Sequence, residues 1–190
     1  KKMTFDPSMK LTKENIASLP PLCTDGAWGT EMAKLGAKPG EMTDLWNVDA
    51  PEKVLSVAKS YVDAGCQIIL TNTFNSNCVV LEKHNIANRA AELTEAGAAI
   101  SRQAAQGRAY VFGSIGPCSQ MVMIGEITPD EVKAMAAEQA AALAAGGADA
   151  IVVETQSDLQ ESEAAMLGAM SACDLPVGTT FTFDAGANND

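Results

Sequence analysis

Two acidic residues, Asp25 and Glu154, each follow an apolar segment of the kind that forms a buried strand. Asp25 begins Asp25-Gly26-Ala27-Trp28-Gly29-Thr30, and Glu154 follows Ala150-Ile151-Val152-Val153. In a barrel of alternating strands and helices, the carboxyl ends of the strands build the active site. Two carboxylates that meet at such an edge would suit a small cationic group such as an α-amine.

Each carboxylate also has an ordinary structural interpretation. Asp25 could cap the helix that begins near Gly29, and for Asp25 alone this is the simpler hypothesis. Capping is the alternative for Glu154 as well, but Ser157 is better placed to cap the following helix. Because the backbone of Glu154 should lie at the edge of a buried sheet, we expect its carboxylate to need a partner or a ligand.

A second polar strand end is Thr71-Asn72-Thr73-Phe74, whose hydroxyls and amide could hold a carboxylate or amide through hydrogen bonds. Ordinary β-propensity followed by a turn at Asn75-Ser76-Asn77 explains the same residues equally well. Gly26, next to Asp25, would let a ligand approach the backbone. Ser114-Ile115-Gly116-Pro117 ends another strand, where Gly-Pro commonly forms a turn.

Other catalytic mechanisms find little support in the sequence. His84 is the only histidine and lies in a polar stretch, so we expect it on the solvated surface. A Ser-His-Asp or Cys-His system would depend on it, and no nucleophile-elbow glycines are present. The five cysteines are scattered, and no Cys or His residues have close ligand spacing, so we expect no metal site within this chain.

Composition limits the partners and the compartment. A net charge of −11 argues against nucleic acid or an anionic membrane surface as the main partner. No apolar run approaches the roughly 20 residues that span a bilayer, and the start lacks the apolar core of a signal peptide. The odd number of dispersed cysteines favours a reducing compartment, so we predict a cytoplasmic protein.

The elements that would position these residues alternate between short apolar strands and longer helices. We expect strands at residues 22–26, 66–72, 109–114, 150–154 and 176–183, and helices that begin near Pro51, at 86–106, at 129–146 and after Ser157. Repeated helix–glycine–strand joints at 64–69 and 146–151 indicate βαβ units and a parallel sheet. Five such strands fit either an open doubly wound sheet or five-eighths of a barrel.

The same motifs resemble the homocysteine S-methyltransferase family, notably the homocysteine-binding domain of cobalamin-dependent methionine synthases. The segment that starts at Asp25 looks like the family's D-G-A-M-G-T signature, with Trp28 in place of methionine. Residues 71–74 match its T-N-T-F strand end. Residues 114–117, and Glu154-Thr155 with Asp158 and Glu163, match two further blocks in the expected order.

The resemblance implies an α/β fold of the (β/α)8 TIM-barrel type, of which this chain supplies about the first five β/α units. Residues 21–190 would form the partial barrel, preceded by an N-terminal extension at 1–20. In this family, carboxylates at positions like Asp25 and Glu154 hold the homocysteine amino group. Backbone near Gly26 and a hydroxyl at a position like Thr73 complete the substrate pocket, and its wall would include Trp28, Asn72 and Phe74.

The resemblance also implies a zinc ion that binds the homocysteine thiolate. It further implies a methyl donor, which is methylcobalamin on a partner, a methylated sulfonium or a betaine. Three cysteines hold the family's zinc, one after the sixth strand and two after the eighth. None of the five cysteines here occupies those positions, so the ligands are expected beyond Asp190.

Three hypotheses follow for function. The chain is the N-terminal part of a methyltransferase that forms methionine from homocysteine, a corrinoid-linked methyltransferase with another donor or acceptor, or a non-catalytic half-barrel that binds an amino acid or a partner. In each case we expect a missing barrel half or a second copy of the chain to cover the open sheet edges.

The first hypothesis predicts that the isolated 190 residues show no zinc-dependent turnover of homocysteine. Purified chain with zinc, homocysteine and methylcobalamin should form no methionine above the zinc-free control. Zinc-dependent methionine formation, measured by chromatography, would show that this chain carries a complete site.

Overall fold

A computed structural model describes residues 5–183 and shows helices and strands that alternate along the chain. They are α1 (Trp28–Lys34), α2 (Trp46–Asp49), α3 (Pro51–Asp63), β1 (Ile68–Leu70), α4 (Cys78–Glu82), α5 (Ala90–Ala105), β2 (Tyr110–Ile115), α6 (Pro129–Ala145), β3 (Ala150–Gln156), α7 (Leu159–Ala172) and β4 (Val177–Phe181). Short 3-10 turns lie at Ile16–Ser18, Thr43–Leu45 and Ala87–Arg89.

The four strands form one parallel sheet in the order β1-β2-β3-β4. Ile69 pairs with Val111, Gly113 with Ile151, and Val153 with Thr179. Each connection between neighbouring strands passes through at least one helix, as parallel pairing requires. The expected α/β class with parallel strands is therefore confirmed.

The expected first strand at 22–26 is wrong as a full strand, because it forms only a parallel bridge between Thr24 and Ile68. The Asp25 amide donates to the Ile68 carbonyl at 3.0 Å. The next donor of the ladder, the Leu70 amide, bonds to the Asp25 side chain at 2.7 Å. The backbone pairing therefore ends where the carboxylate of Asp25 replaces a main-chain carbonyl.

The helix after β3 is capped one residue later than expected. Asp158, and not Ser157, is the N-cap of α7, since its Oδ1 accepts from the amides of Gln160 and Glu161 at 2.7 and 3.3 Å. A carboxylate is favoured there over a hydroxyl because it also opposes the positive end of the helix dipole. The capping box predicted for α6 is present between Thr128 and Glu131.

Residues 5–20 cover the amino-terminal end of the sheet. Leu11 is buried against Ile68 and Tyr110, at the first positions of β1 and β2. The Tyr110 hydroxyl donates to the Asp6 carbonyl at 2.6 Å, and the Phe5 ring meets the Tyr110 ring edge-on. The segment thus closes the end of the sheet opposite the strand ends that carry Asp25 and Glu154, while a domain boundary at residue 20 stays a prediction.

The β4 edge presents apolar surface. Within residues 5–183, β4 pairs with β3 only. Leu159 on α7 is 74% exposed and Phe183 just beyond β4 is 89% exposed, and these values are high for large apolar side chains. Surface of this kind is commonly covered in a working protein.

Helix α5 packs closely behind the end of β1 because it carries Gly97. A Cβ at this position would lie 2.6 Å from Asn47 Nδ2 and 2.7 Å from Thr73 Cγ2, and both of these side chains are buried. Such contacts are shorter than side chains tolerate. Gly97 therefore allows the helix to approach the polar residues that follow β1.

We predict that Gly97→Ala destabilises the protein by about 1–3 kcal/mol, because the added methyl group overpacks a buried contact. Urea unfolding would measure the change in the free energy of unfolding. Gly29→Ala is the matched control, since a Cβ on this helical glycine meets nothing within 4 Å. Equal behaviour of the two variants would contradict the close approach of α5.

Candidate functional site

A cavity of about 360 Å³ lies at the carboxyl ends of the strands. It is lined by Gly26, Ala27, Trp28, Gly29, Thr43, Asp44, Leu70, Thr71, Asn72, Phe74, Asn75, Ser114 and Glu154. Five of the seven residues predicted from the sequence are in this lining, and the other two, Asp25 and Thr73, are immediate chain neighbours of lining residues. The predicted site residues are therefore brought together.

Asp25 has one occupied and one unoccupied carboxylate oxygen. Its Oδ2 accepts from the Trp28 indole nitrogen at 2.8 Å and from the Leu70 amide at 2.7 Å. Its Oδ1 is buried and has no hydrogen-bond partner among the described residues. The N-cap of α1 is Ala27, without a side-chain cap bond, so the alternative that Asp25 caps this helix is wrong.

Glu154 is placed by an irregularity in β3. The register with β4 shifts between Val153 and Gln156, and Thr155 adopts a left-handed backbone with φ of 60°. This conformation is strained for a β-branched residue and is typical of functional sites. A bulge of this kind redirects side chains at the end of a strand. The Ser114 hydroxyl from β2 donates to Glu154 Oε1.

The two carboxylates make the site electrostatically unfavourable without a ligand. Burial raises the pKa of Asp25, although the Trp28 and Leu70 donors oppose this effect. Burial also raises the pKa of Glu154, and the charge of Asp25 raises it further. No Lys, Arg or His between residues 5 and 183 forms an ion pair with either group. A bound cation would offset both the desolvation of the two carboxylates and the repulsion between them.

Thr73 lies behind the cavity lining. It is fully buried, and its hydroxyl donates to the Ser114 carbonyl at 2.7 Å. Because that bond uses its only hydroxyl proton, the 2.6 Å contact with Thr71 Oγ1 has Thr71 as donor. The Ser114 amide in turn donates to Thr71 Oγ1 at 2.9 Å. These hydroxyls tie the end of β1 to the end of β2.

Asn72 and Phe74 form part of the wall. The Asn72 amide donates to the Thr43 carbonyl at 2.9 Å and to Asn47 Oδ1 at 3.0 Å, so it anchors the loop that faces β1. The Phe74 carbonyl accepts from the Gly116 amide at 3.1 Å. A Cβ on Gly116 would lie 2.5 Å from that oxygen, which explains why the Gly-Pro turn begins with glycine.

Sequence reasoning did not assign a role to Asp44, which also lines the cavity. It is 2% exposed, and its Oδ1 accepts from the Asn75 amide and the Ser76 hydroxyl, both at 2.9 Å. Burial raises the pKa of Asp44. Asp44 lies in the short 3-10 turn Thr43–Leu45, where the sequence has no strand or helix periodicity that signals a buried carboxylate. A role for Ser114 could have been predicted from the sequence, because Ser114 begins the block at residues 114–117 that resembles the family.

The described residues do not fit a zinc ion. Within 5–183, no group of three or more His, Cys, Asp or Glu side chains could hold a metal. All five cysteines are free thiols, and burial raises the pKa of Cys118 to about 12, which disfavours the thiolate that zinc binds. The cavity therefore has carboxylates for a small cation but lacks the nitrogen and sulfur ligands that zinc prefers.

A larger groove of about 600 Å³ lies between α4 and α6. Its lining includes Cys78, Ile127, Met135 and Glu138 but none of the residues predicted for the site. Size alone would favour this groove. The smaller cavity is the better candidate because it combines half-buried carboxylates, an unpaired oxygen and strained backbone.

Comparison with known proteins assigns the family. The profile of the family described as Homocysteine S-methyltransferase matches residues 22–190, and the chain belongs to that family. It is 31% identical over 160 residues to a methionine synthase of Mycobacterium tuberculosis, and 30% identical over 165 residues to that of Mycobacterium leprae. Each alignment covers 78% of this chain but 13% of the relative's length.

Solved structures confirm the fold. The oxidised form of the homocysteine methyltransferase MmuM from Escherichia coli superposes with a TM-score of 0.75 at 21% identity, covering 85% of this chain and 62% of that protein. The form of MmuM described as metallated gives the same TM-score at 22% identity. The parallel sheet with its helices is therefore part of a β/α barrel.

No helix within the described range is long and apolar enough to cross a membrane.

We predict that Glu154→Gln stabilises the ligand-free protein by about 0.5–2 kcal/mol near pH 7, as substitutions at strained sites often do. The raised pKa means that ionised Glu154 costs stability above its folded-state pKa. That cost disappears as the pH falls toward the pKa of a glutamate in the unfolded chain, about 4.3. Glutamine keeps the shape of the side chain and an acceptor for the Ser114 hydroxyl while it removes the charge.

Thermal unfolding of both proteins across this pH range would measure the difference. The melting temperatures should converge in acid and separate at neutral pH. A variant that is less stable than the original at neutral pH would show that the charge of Glu154 is already compensated.

Proposed function

We propose that this chain supplies the amino-acid-binding part of a homocysteine S-methyltransferase, which transfers a methyl group to the thiol of homocysteine and forms methionine. The observation that carries the proposal is the pair of half-buried carboxylates, Asp25 and Glu154, with no Lys, Arg or His among the described residues that line the cavity. An α-ammonium group is the small cation that both family membership and this chemistry favour.

In this proposal the carboxylates bind and orient the amino acid. The ammonium group would donate to the free Asp25 Oδ1 and to Glu154, whose other contact is the Ser114 hydroxyl. Placing one positive charge beside two carboxylates in a partly desolvated cavity is worth more than the same contact in water. Gly26 leaves its backbone accessible to the ligand, because it lines the cavity and carries no side chain.

The chemistry at sulfur is assigned to groups outside this chain. The metallated form of MmuM and the family resemblance support a zinc ion in the complete enzyme. Since the described cysteines do not come together, we propose that the zinc-ligand cysteines belong to sequence beyond this chain. In this proposal the residues of this chain bind the amino acid and exclude water. The thiol of the bound homocysteine would point toward the zinc-binding part of the complete enzyme.

The same proposal extends to the methyl donor, to the exposed edge of the sheet and to the location of the protein. The similarity to methionine synthases supports methylcobalamin, carried on a corrinoid protein or domain, as donor. The exposed β4 edge, with Leu159 and Phe183, is proposed to contact the remaining β/α units or a second copy of the chain. A cytoplasmic location agrees with the cysteine pattern and stays a prediction.

We predict that the chain binds L-homocysteine and that Glu154→Ala weakens binding on the order of 10- to 100-fold, the value of one charged hydrogen bond. Titration calorimetry with a reducing agent would measure both affinities. Glu95→Ala is the control, since Glu95 is an exposed glutamate on α5 remote from the cavity lining.

The ligand can be varied in the same way. 4-Mercaptobutyric acid lacks the amino group and should bind no better to the original chain than to Glu154→Ala. If this compound binds as tightly as L-homocysteine, or if Glu154→Ala retains full affinity, the carboxylates do not form the amine site.

A further inference from the structure

Trp28 stands where the family signature has methionine, and it does more than line the cavity wall. Its indole nitrogen donates to Asp25 Oδ2 at 2.8 Å. The ring lies against Tyr61 of α3, with centroids 6.3 Å apart, and packs onto the core between α1 and α3. The donor is therefore held in place by packing.

The two donors to Asp25 converge on the same atom. The Leu70 amide reaches Oδ2 at 2.7 Å from the end of β1, while the Trp28 indole reaches it from the first residue of α1. With both bonds made, the carboxylate cannot rotate without breaking one of them. Oδ1 is left buried and without a partner in the described part of the chain.

We propose that Trp28 is a positioning residue, which together with the Leu70 amide fixes Asp25 Oδ2 and presents Oδ1 as the single oxygen for a ligand's cation. The inference rests on the proposed function for the identity of that cation but not for the geometry. The side chain of methionine has no N–H group, so this arrangement depends on the residue at which this chain departs from the signature.

The charged surroundings make the indole donor important. The charge of Asp25 raises the pKa of three neighbouring groups, Glu154 of β3, Tyr61 of α3 and Cys66 after α3, and each of them is neutral or negative. Burial raises the pKa of Asp25, and the Trp28 bond is the leading influence that lowers it. Without this donor the carboxylate should hold its proton to higher pH and bind a cation less well.

The test is to replace Trp28 with phenylalanine, which keeps an aromatic ring, and with methionine, the residue of the family signature. Carboxyl-detected NMR titration of the ligand-free chain should show a higher pKa for Asp25 in both variants. L-homocysteine should bind about three- to tenfold more weakly at neutral pH. The acidic limb of its affinity profile should move to higher pH with the Asp25 titration.

Trp46→Phe is a matched control, because the Trp46 indole donates to the carboxylate of Glu41 at 2.9 Å, outside the cavity lining. This variant should shift the titration of Glu41 and leave that of Asp25 unchanged. A purely structural role of Trp28 would lower the melting temperature without moving the Asp25 pKa, and that result would overturn the proposal.

The two readouts separate this inference from the proposed function. A shifted Asp25 titration in a chain that binds no homocysteine would support the positioning role and contradict the proposed ligand. An unshifted titration in Trp28→Phe and Trp28→Met would refute the positioning role even if homocysteine binds.

Discussion

The side chain of Asp25 occupies a position that a backbone carbonyl would take in a continued strand, and the site depends on this substitution. Because the Leu70 amide bonds to Asp25 Oδ2, the first pairing ends at Thr24 and the chain turns into α1. The turn places Gly26 and Trp28 beside the cavity. One hydrogen bond thus ends a strand, orients a carboxylate and opens space for a ligand.

The rest of the fold holds this arrangement still. Polar side chains from the helices bond to carbonyls at the strand ends: Asn47 to Asn72, Ser101 to Leu70 and Gln139 to Thr73. Each of these bonds satisfies a main-chain oxygen where the ladder stops and where water is excluded. The strand ends are thereby fixed before any ligand arrives, as a binding site of defined geometry requires.

Much of the architecture could be predicted from local patterns. The capping box at Thr128 and the apolar run before Glu154 have mechanisms that act within a few residues, and both elements formed as expected. The exceptions involve contacts between distant residues. The truncated pairing at 22–26 depends on Asp25 meeting Leu70, and the burial of Asp44 depends on Asn75 and Ser76. No periodicity in the sequence carries that information.

We propose that two carboxylates with raised pKa values, Asp25 and Glu154, bind an ammonium group. Calorimetry of L-homocysteine binding at several pH values between about 4 and 6, in buffers of different ionisation enthalpy and with a chelator present, tests this directly because the free thiol stays protonated throughout that range. The account predicts net proton release, since an arriving cation lowers the pKa of both carboxyls. Binding without proton release, or with proton uptake, would contradict it.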